Sequence, residues 1–238
     1  MWRCGSTMSG AGIDSNAAVA ELALVRRLAL AALEALERER QRIDGLNVYP
    51  VPDGDTGMNL VLTVRALVEE LDATRPTEQA NLRRDFARAL LMRARGTSGV
   101  ILSQIVRGAV EAAPVSGPLG GRALAVMLER SRDAAYSAVA KPVEGTILTV
   151  IRELADEARA LRRKALPLDR RLHAIVVRGE EALERTREQN PALAEAGVVD
   201  AGAVGLLVCL RAIAQVISGA PAVVPAPALR LVSSPPER

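Results

Sequence analysis

The chain has 238 residues, of which 49% are hydrophobic, 25% are charged and only 2% are aromatic, with a formal net charge of +3. The high hydrophobic fraction excludes disorder for most of its length, and the few aromatic residues exclude an aromatic-rich β-sandwich and a base-stacking surface. Charges of both signs are interspersed, so the longest basic cluster, Arg162-Arg163-Lys164, is interpreted as a solvated helix face and no nucleic-acid partner is expected.

Cysteine and histidine are too few for a zinc site, because the chain holds only Cys4, Cys209 and His173. The two cysteines form no CxxC pair and the first residues contain no apolar signal-peptide segment, so a reducing, cytoplasmic setting is expected. The most apolar stretch, residues 198–217, still carries three polar side chains. We predict a buried helix there and no membrane span.

Apolar residues recur with a period of about 3.6 along most of the chain, which predicts helices. The predicted helices lie at about residues 16–42, 58–71, 77–95, 98–112, 121–138, 145–161, 168–189 and 202–217. The run 48–52 contains two prolines and is predicted to be a loop. The sequence therefore predicts an all-α, eight-helix fold between a flexible N-terminal segment (1–14) and a proline-rich C-terminal tail (219–238).

The links between these helices fall into two groups. Short links between long helices favour antiparallel neighbours, so alternate links of an up-and-down array lie at the same end. The first, third, fifth and seventh links contain most of the unusual residues, at 44–57, 95–99, 139–146 and 190–202. The other links are ordinary in composition. A functional site at the end that carries the first group is therefore predicted.

The first of these links contains two carboxylates, Asp53 and Asp55, in a proline-stiffened loop. Hard cations such as Mg²⁺ prefer oxygen ligands, usually one or two carboxylates completed by water and phosphate. Pro-Asp-Gly is also favourable turn chemistry, so a simple tight turn stays open. An EF-hand is excluded because Val64 stands where its last glutamate would be.

The other three links each allow two interpretations. Gly96-Thr-Ser-Gly99 is either an anion-binding helix start or a glycine C-cap followed by a serine N-cap. The segment 141–146 either binds a phosphate or simply starts a helix. Asp200 either contacts a nucleoside or is a helix N-cap. No P-loop or Rossmann glycine pattern is present. Together at one end, these are the parts of a Mg-nucleotide site.

Four segments, at residues 47–59, 95–104, 141–150 and 190–202, together resemble one family. It is the dihydroxyacetone kinase L-subunit (DhaL) type of nucleotide-binding domain, and more closely the N-terminal domain of the kinase subunit of bacterial fatty acid kinase. The resemblance covers roughly residues 15–218, which we take as the domain. It implies an eight-helix antiparallel barrel that binds ATP or ADP with Mg²⁺ at one end.

The resemblance also implies roles for individual residues. Asp53 and Asp55 would hold Mg²⁺ and, with Ser98, carry the transfer, while Asn47 stands near the place of a third metal-binding aspartate of DhaL proteins. The residues expected to contact the nucleotide are Thr56, Gly57, Met58, Asn59, Thr97, Ser98, Gly145, Thr146, Asp200, Ala201 and Gly202.

The expected function is phosphoryl transfer from Mg·ATP to a substrate presented by a partner protein, namely a fatty acid carboxylate, which needs no general base because it is ionised at pH 7. The alternatives are a DhaL-type dihydroxyacetone kinase subunit with ADP as a bound coenzyme, and a non-catalytic nucleotide-binding scaffold. The fatty acid kinase that this chain resembles usually continues beyond this domain. A stand-alone form, a fragment, a divided protein and a homodimer all stay open.

Overall fold

The structure, a computed structural model, describes residues 11–73, 91–114 and 119–219, with side chains described from residue 19 onwards except at position 21. Its helices are α1 (Ala11–Gly45), α2 (Thr56–Ala73), α3 (Gly96–Ala112), α4 (Gly121–Ser137), α5 (Ile147–Leu161), α6 (Leu168–Gln189), α7 (Pro191–Ala196) and α8 (Ala201–Ser218). No strand occurs within these three ranges, and the predicted all-α class is confirmed.

Seven of the predicted helices fall inside the described ranges, with ends within a few residues of those expected. The largest difference is at α1, which begins at Ala11, so residues 11–14 of the segment predicted to be flexible are helical. The third predicted helix, 77–95, lies mostly outside the described residues, although residues 91–93 are helical. Residues 1–10, and the predicted tail from 220 to 238, also lie outside them.

The short helix α7 lies in a segment that was predicted to be a link. Asn190 is its N-cap, with the side-chain oxygen accepting the amide of Ala192 at 3.1 Å, and Pro191 takes the first helical position. Gly197, with φ of +67°, ends it. Six residues are too few for a helical hydrophobic period to be visible, so the sequence pattern did not predict this helix.

The long helices close into a ring. Each contacts the next in chain order from α1 to α6, and α8 contacts both α6 and α1. The pairs α3/α4 and α5/α6 run antiparallel: Ser131 of α4 donates to the carbonyl of Ile105 in α3, and Arg178 of α6 binds Glu153 of α5 at 2.6 Å. Helices α2 and α3 instead start at the same end, where the hydroxyl oxygens of Thr56 and Ser98 are 3.5 Å apart. The starts of α2, α3, α5 and α8 consequently point toward one end of the fold.

Helix α8 forms much of the core, because it also contacts α2 and α5. Its Gly205 packs directly on the side chain of Leu60, one turn into α2, at a distance that leaves no room for a Cβ. Among the described residues, α8 is the one helix long and apolar enough to cross a membrane, and 56% of it is buried inside the fold. Packing against four helices accounts for this composition, as the sequence predicted.

Candidate functional site

The first turns of α2, α3, α5 and α8 lie at the same end of the fold. Thr56 at the start of α2 and Ser98 at the start of α3 have hydroxyl oxygens 3.5 Å apart. At the start of α5, the amide of Ile147 donates to Asp200, the N-cap of α8, at 2.9 Å. The close packing of α8 on α2 joins these two pairs. The four links that the sequence assigned to one end therefore lie together.

Asn47 organises the loop before α2. Its Nδ2 donates to the carbonyl oxygen of Val51 at 3.2 Å and to Oδ1 of Asp53 at 2.6 Å. Its Oδ1 accepts the hydroxyl of Thr56 at 2.8 Å. Because two acceptors face Nδ2 and a donor faces Oδ1, only one amide orientation satisfies all three groups. Asn47 is only 7% exposed and fastens Asp53 to the start of α2.

The two carboxylates of this loop keep oxygen atoms free. Asp53 is exposed and uses one oxygen for Asn47, while the carboxylate of the partly buried Asp55 has no partner within the described residues. No group of three or more His, Cys, Asp or Glu suited to a metal occurs in that part of the chain. Two carboxylates still fit Mg²⁺, which fills its remaining positions with water and phosphate. Through Asn47 and Thr56, Asp53 is connected to Ser98.

Three predicted contact residues continue the first turn of α2 and differ in access. Gly57 is buried, and a Cβ there would lie 2.9 Å from a carboxylate oxygen of Asp44. Met58 is 38% exposed, and its backbone amide donates to the same carboxylate at 3.1 Å. Asn59 is partly buried beneath Gly96. In this turn, Met58 is therefore the more accessible residue and Gly57 faces the end of α1.

The turn into α3 is fixed against α2. Gly96 has φ of +60°, and a Cβ on it would lie 2.9 Å from Cγ of Asn59, so glycine is required there. Thr63, which the sequence analysis missed, accepts the amide of Arg95 at 3.3 Å and donates to the carbonyl of Asn59 at 2.7 Å. These contacts hold Ser98 beside α2. A threonine inside a helix gives little sequence signal, because its hydroxyl commonly bonds its own helix.

Helix α3 differs from its neighbours at this end because no side chain of the described residues caps it. Asp44 accepts a first-turn amide of α2, and Asp200 accepts first-turn amides of both α5 and α8. The N-cap of α3 is Arg95, whose side chain makes no capping bond. The alternative with Ser98 as N-cap is wrong, since α3 begins two residues earlier. Helix-start amides that lack a side-chain cap are groups that anions can bind, and Thr97 and Ser98 lie at this start.

Asp200 joins the starts of two helices. Its Oδ2 accepts the amides of Ile147 at 2.9 Å and Ala203 at 2.8 Å, and its own amide donates to Thr186 at 3.1 Å. Burial raises the pKa of Asp200 to about 6, against the opposing effect of the two amide bonds. The N-cap interpretation of Asp200 is confirmed, while its contact with a nucleoside stays a prediction.

The link before α5 forms the remaining part of this end. Thr146 is the N-cap of α5, and its hydroxyl oxygen accepts a first-turn amide at 3.3 Å. Gly145 has φ of +74°, and a Cβ there would lie 2.7 Å from the amide nitrogen of Asn190. Ala201 and Gly202 are buried at the start of α8. These four predicted contact residues thus lie around Asp200 and Asn190, at the starts of α5 and α8.

The sequence matches the family model of the DAK2 domain over residues 50–215. Protein YloV of Bacillus subtilis (strain 168) is 40% identical over 178 residues, which are 75% of this chain and 32% of YloV. An uncharacterized protein of Staphylococcus aureus (strain USA300) is 39% identical over 184 residues, 77% of this chain and 34% of that protein. The chain therefore spans about a third of the length of these curated relatives.

Solved structures of similar fold include the dihydroxyacetone kinase from C. freundii in complex with AMP-PNP and Mg²⁺. Its TM-score is 0.58 at 19% identity, and the match covers 91% of this chain and 37% of that chain. The native form of the same kinase matches with a TM-score of 0.55 at 18% identity. At such identities the likeness shows the fold alone. The DhaL-type resemblance that the four motifs predict is confirmed.

Proposed function

Because this chain belongs to the DAK2-domain family, we propose that it binds ATP or ADP with Mg²⁺ at the end of the fold described above and takes part in phosphoryl transfer. The observation that carries the proposal is the uncapped start of α3, where Ser98 lies beside Thr56 and is linked through Asn47 to Asp53. An anion-binding helix start next to two carboxylates suits a Mg-nucleotide.

The metal would be held by Asp53 and Asp55. Both keep carboxylate oxygens free of other cations within the described residues. Mg²⁺, when bound, neutralises the charge of the phosphates. We assign Asn47 to holding Asp53 in place, in preference to the role of third ligand expected from the sequence, because both ends of its amide are already engaged.

The phosphates would bind at the start of α3, through its amides and the hydroxyls of Thr97 and Ser98. Phosphoryl transfer depends mainly on positioning and charge stabilisation, which preorganised amides provide. Thr63 and Asn59 supply that preorganisation here by fixing the turn at Gly96. Thr56, within 3.5 Å of Ser98, completes a hydroxyl cluster at this position.

The nucleoside would lie toward the starts of α5 and α8. The helix-start amides there are already occupied by the carboxylate of Asp200, so a phosphate in that place would meet a like charge. A neutral base or ribose avoids this repulsion. This part of the site would be lined by Gly145, Thr146, Ala201 and Gly202. Asp200 would hold these residues in place by binding the first-turn amides of α5 and α8.

For the acceptor we propose a fatty acid carboxylate presented by a partner protein, giving an acyl phosphate. The resemblance to bacterial fatty acid kinase suggests this substrate. Exposed apolar side chains at the same end support an apolar partner or substrate: Val51 is 58% exposed, Met58 38% and Val143 37%. This transfer needs no general base, because the acceptor carboxylate is ionised at neutral pH.

The metal assignment is tested by calorimetric titration of Mg·ATP into the wild-type chain and an Asp53→Ala variant. We expect binding at least about tenfold weaker in the variant, because a carboxylate ligand of the metal is lost. Asp169→Ala is the matched control, since Asp169 is exposed on the first turn of α6 at the opposite end. Unchanged affinity in Asp53→Ala, with an unchanged helical circular dichroism spectrum, rules out the metal role.

A second candidate is a protein that retains ADP as a coenzyme, as the DhaL type does. Its support is the fold shared with dihydroxyacetone kinase over 91% of the chain. Nucleotide exchange separates the candidates: release of labelled nucleotide at the rate of turnover favours the ATP-consuming kinase, and retention of ADP favours the coenzyme. ATP consumption with oleate and a fatty-acid-binding protein tests the acceptor. Nucleotide binding without any transfer supports a scaffold.

A further inference from the structure

A groove lies at the end of the fold opposite to the candidate site. It has a volume of about 340 Å³ and is formed by the first half of α4 and the link between α5 and α6. The residues that line this basic groove are Arg122, Ala125, Val126, Glu129, Arg162 and Arg163. Helix α5 starts at the candidate site, so its far end lies about 22 Å away at 1.5 Å per residue. The basic groove is therefore a separate surface.

The arginines of the basic groove have no ion-pair partners within the described residues. Elsewhere arginine side chains are commonly paired, as in the Arg159–Asp156 pair of α5 at 3.1 Å. No carboxylate of the described residues lies within ion-pair distance of Arg122, Arg162 or Arg163. Three guanidinium groups thus share a groove with one carboxylate, that of Glu129. Fixed positive charge without a partner favours an external anion.

Arg162 and Arg163 lie in the link between α5 and α6, and a buried side chain holds the backbone of this link in place. The guanidinium of the buried Arg171 donates to the carbonyl oxygens of Leu161, Lys164 and Leu166, the last at 2.9 Å from Nε. Its hydrogen-bond acceptors are all neutral carbonyls, so its charge adds to the positive potential of the groove. A fixed backbone lowers the entropy that a partner must overcome on binding.

We propose that the basic groove is a docking site for an acidic segment of another protein. Carboxylates of that segment would pair with the three arginines, and an apolar side chain would pack on Val126, which is 40% exposed. Arginine combined with an apolar patch is typical of interface centres. The concave shape fits an extended or helical segment better than a flat lipid surface. This proposal is independent of nucleotide binding.

Fluorescence anisotropy with a labelled peptide of glutamates and leucines tests the docking site. We expect the peptide to bind the full chain, and to bind an R162E/R163E variant at least about tenfold more weakly. The matched control is R27E/R38E, because Arg27 and Arg38 are exposed, belong to α1 and change the net charge equally. The control should bind like the wild type, and a lysine-leucine peptide should prefer the R162E/R163E variant.

Three results would overturn the proposal. The first is no binding of the peptide to the wild type, and the second is an equal loss in both double variants, which would reflect net charge alone. The third is binding of phosphatidylglycerol vesicles, but not of the peptide, in an Arg162-dependent manner. Two further measurements test whether a loss of peptide binding comes from the groove surface or from unfolding. R162Q/R163Q removes the charges without reversing them, and melting curves show whether each variant is folded.

Discussion

The amide of Ile147 and the carboxylate of Asp200 are 2.9 Å apart, although 53 residues separate them in the chain. The same carboxylate oxygen caps α8 through Ala203 at 2.8 Å. Two helix starts, each with positive dipole character, thereby share one buried negative charge. This contact joins the two links that the sequence could place only at the same end.

Replacing Asp200 by asparagine should flatten the pH dependence of stability between about pH 4 and 6. Burial raises the pKa of Asp200 from 3.8 to about 6 in the folded state. Its contribution to stability is therefore fully present below the unfolded pKa and is lost as the pH rises through the folded pKa. The loss in the wild type is on the order of 3 kcal/mol, and urea unfolding at several pH values measures it.

The matched control for this experiment is Asp169→Asn, which alters an exposed carboxyl group and should keep the wild-type slope. The quantity to compare is the slope of the free energy of unfolding against pH. Absolute stabilities are not compared, because the asparagine side chain at position 200 also weakens the capping bonds at every pH. If Asp200→Asn and the wild type lose stability equally across this range, Asp200 does not titrate as described.

Replacing Asn47 by alanine should destabilise the chain even without Mg²⁺ or nucleotide. The change leaves the buried hydroxyl of Thr56 without its acceptor and removes the donor from Asp53. We expect the free energy of unfolding to fall by about 1–3 kcal/mol. Asp53→Ala keeps the Asn47–Thr56 bond and should change the ligand-free stability little. A variant with weaker Mg·ATP binding but wild-type stability would mean that Asn47 is simply a ligand.

Replacing Gly96 by alanine should both destabilise the chain and weaken nucleotide binding. The φ of +60° costs an L-residue about 1–2 kcal/mol, and the added Cβ would displace the side chain of Asn59. Gly120→Ala is the control, because Gly120 has φ of −94° and open space around its Cβ position. Thermal unfolding measures the loss of stability and calorimetry measures the loss of nucleotide affinity, and both losses should be larger for Gly96→Ala than for Gly120→Ala. Equal effects at both positions would contradict the role of the turn.

Replacing Arg171 by methionine should lower the free energy of unfolding by about 3 kcal/mol. The carbonyl groups of Leu161, at the end of α5, and of Lys164 and Leu166, in the link after it, would lose a charged donor, and such hydrogen bonds are stronger than neutral ones. Arg170→Met is the neighbouring control, since Arg170 is exposed and has no partner in the described residues. Urea unfolding of both variants checks this. A similarly small decrease in the free energy of unfolding of both variants would show that Arg171 does not hold the link between α5 and α6.

Helix positions within the described residues, and the grouping of four links at one end, could be predicted from the sequence. Long apolar stripes such as those of α1 and α8 have many turns over which the period is visible, and short links determine the direction of neighbours. The four motifs could be assigned to one end for the same reason. Both conclusions need only the hydrophobic period within each segment and the lengths of the links between segments.

The contacts that build the site could not be predicted, because they join residues far apart in the chain. Thr63 holds Arg95 across 32 residues, and Asp200 reaches Ile147 across 53. Neither pairing has a local pattern. The bridging role of Asn47 was hidden for another reason: its place in the motif suggested a metal ligand, and only the positions of its three partners show how its amide is used.

An asparagine at position 47 changes what the loop requires of its surroundings. An aspartate would set two negative charges against each other at the 2.6 Å spacing now spanned by the Asn47–Asp53 hydrogen bond, and relief of that repulsion would require an intervening cation or a bound proton. The neutral amide removes this dependence. We therefore expect the loop to keep its shape in magnesium-depleted conditions, because the Asn47–Asp53 hydrogen bond holds Asp53 without an ion.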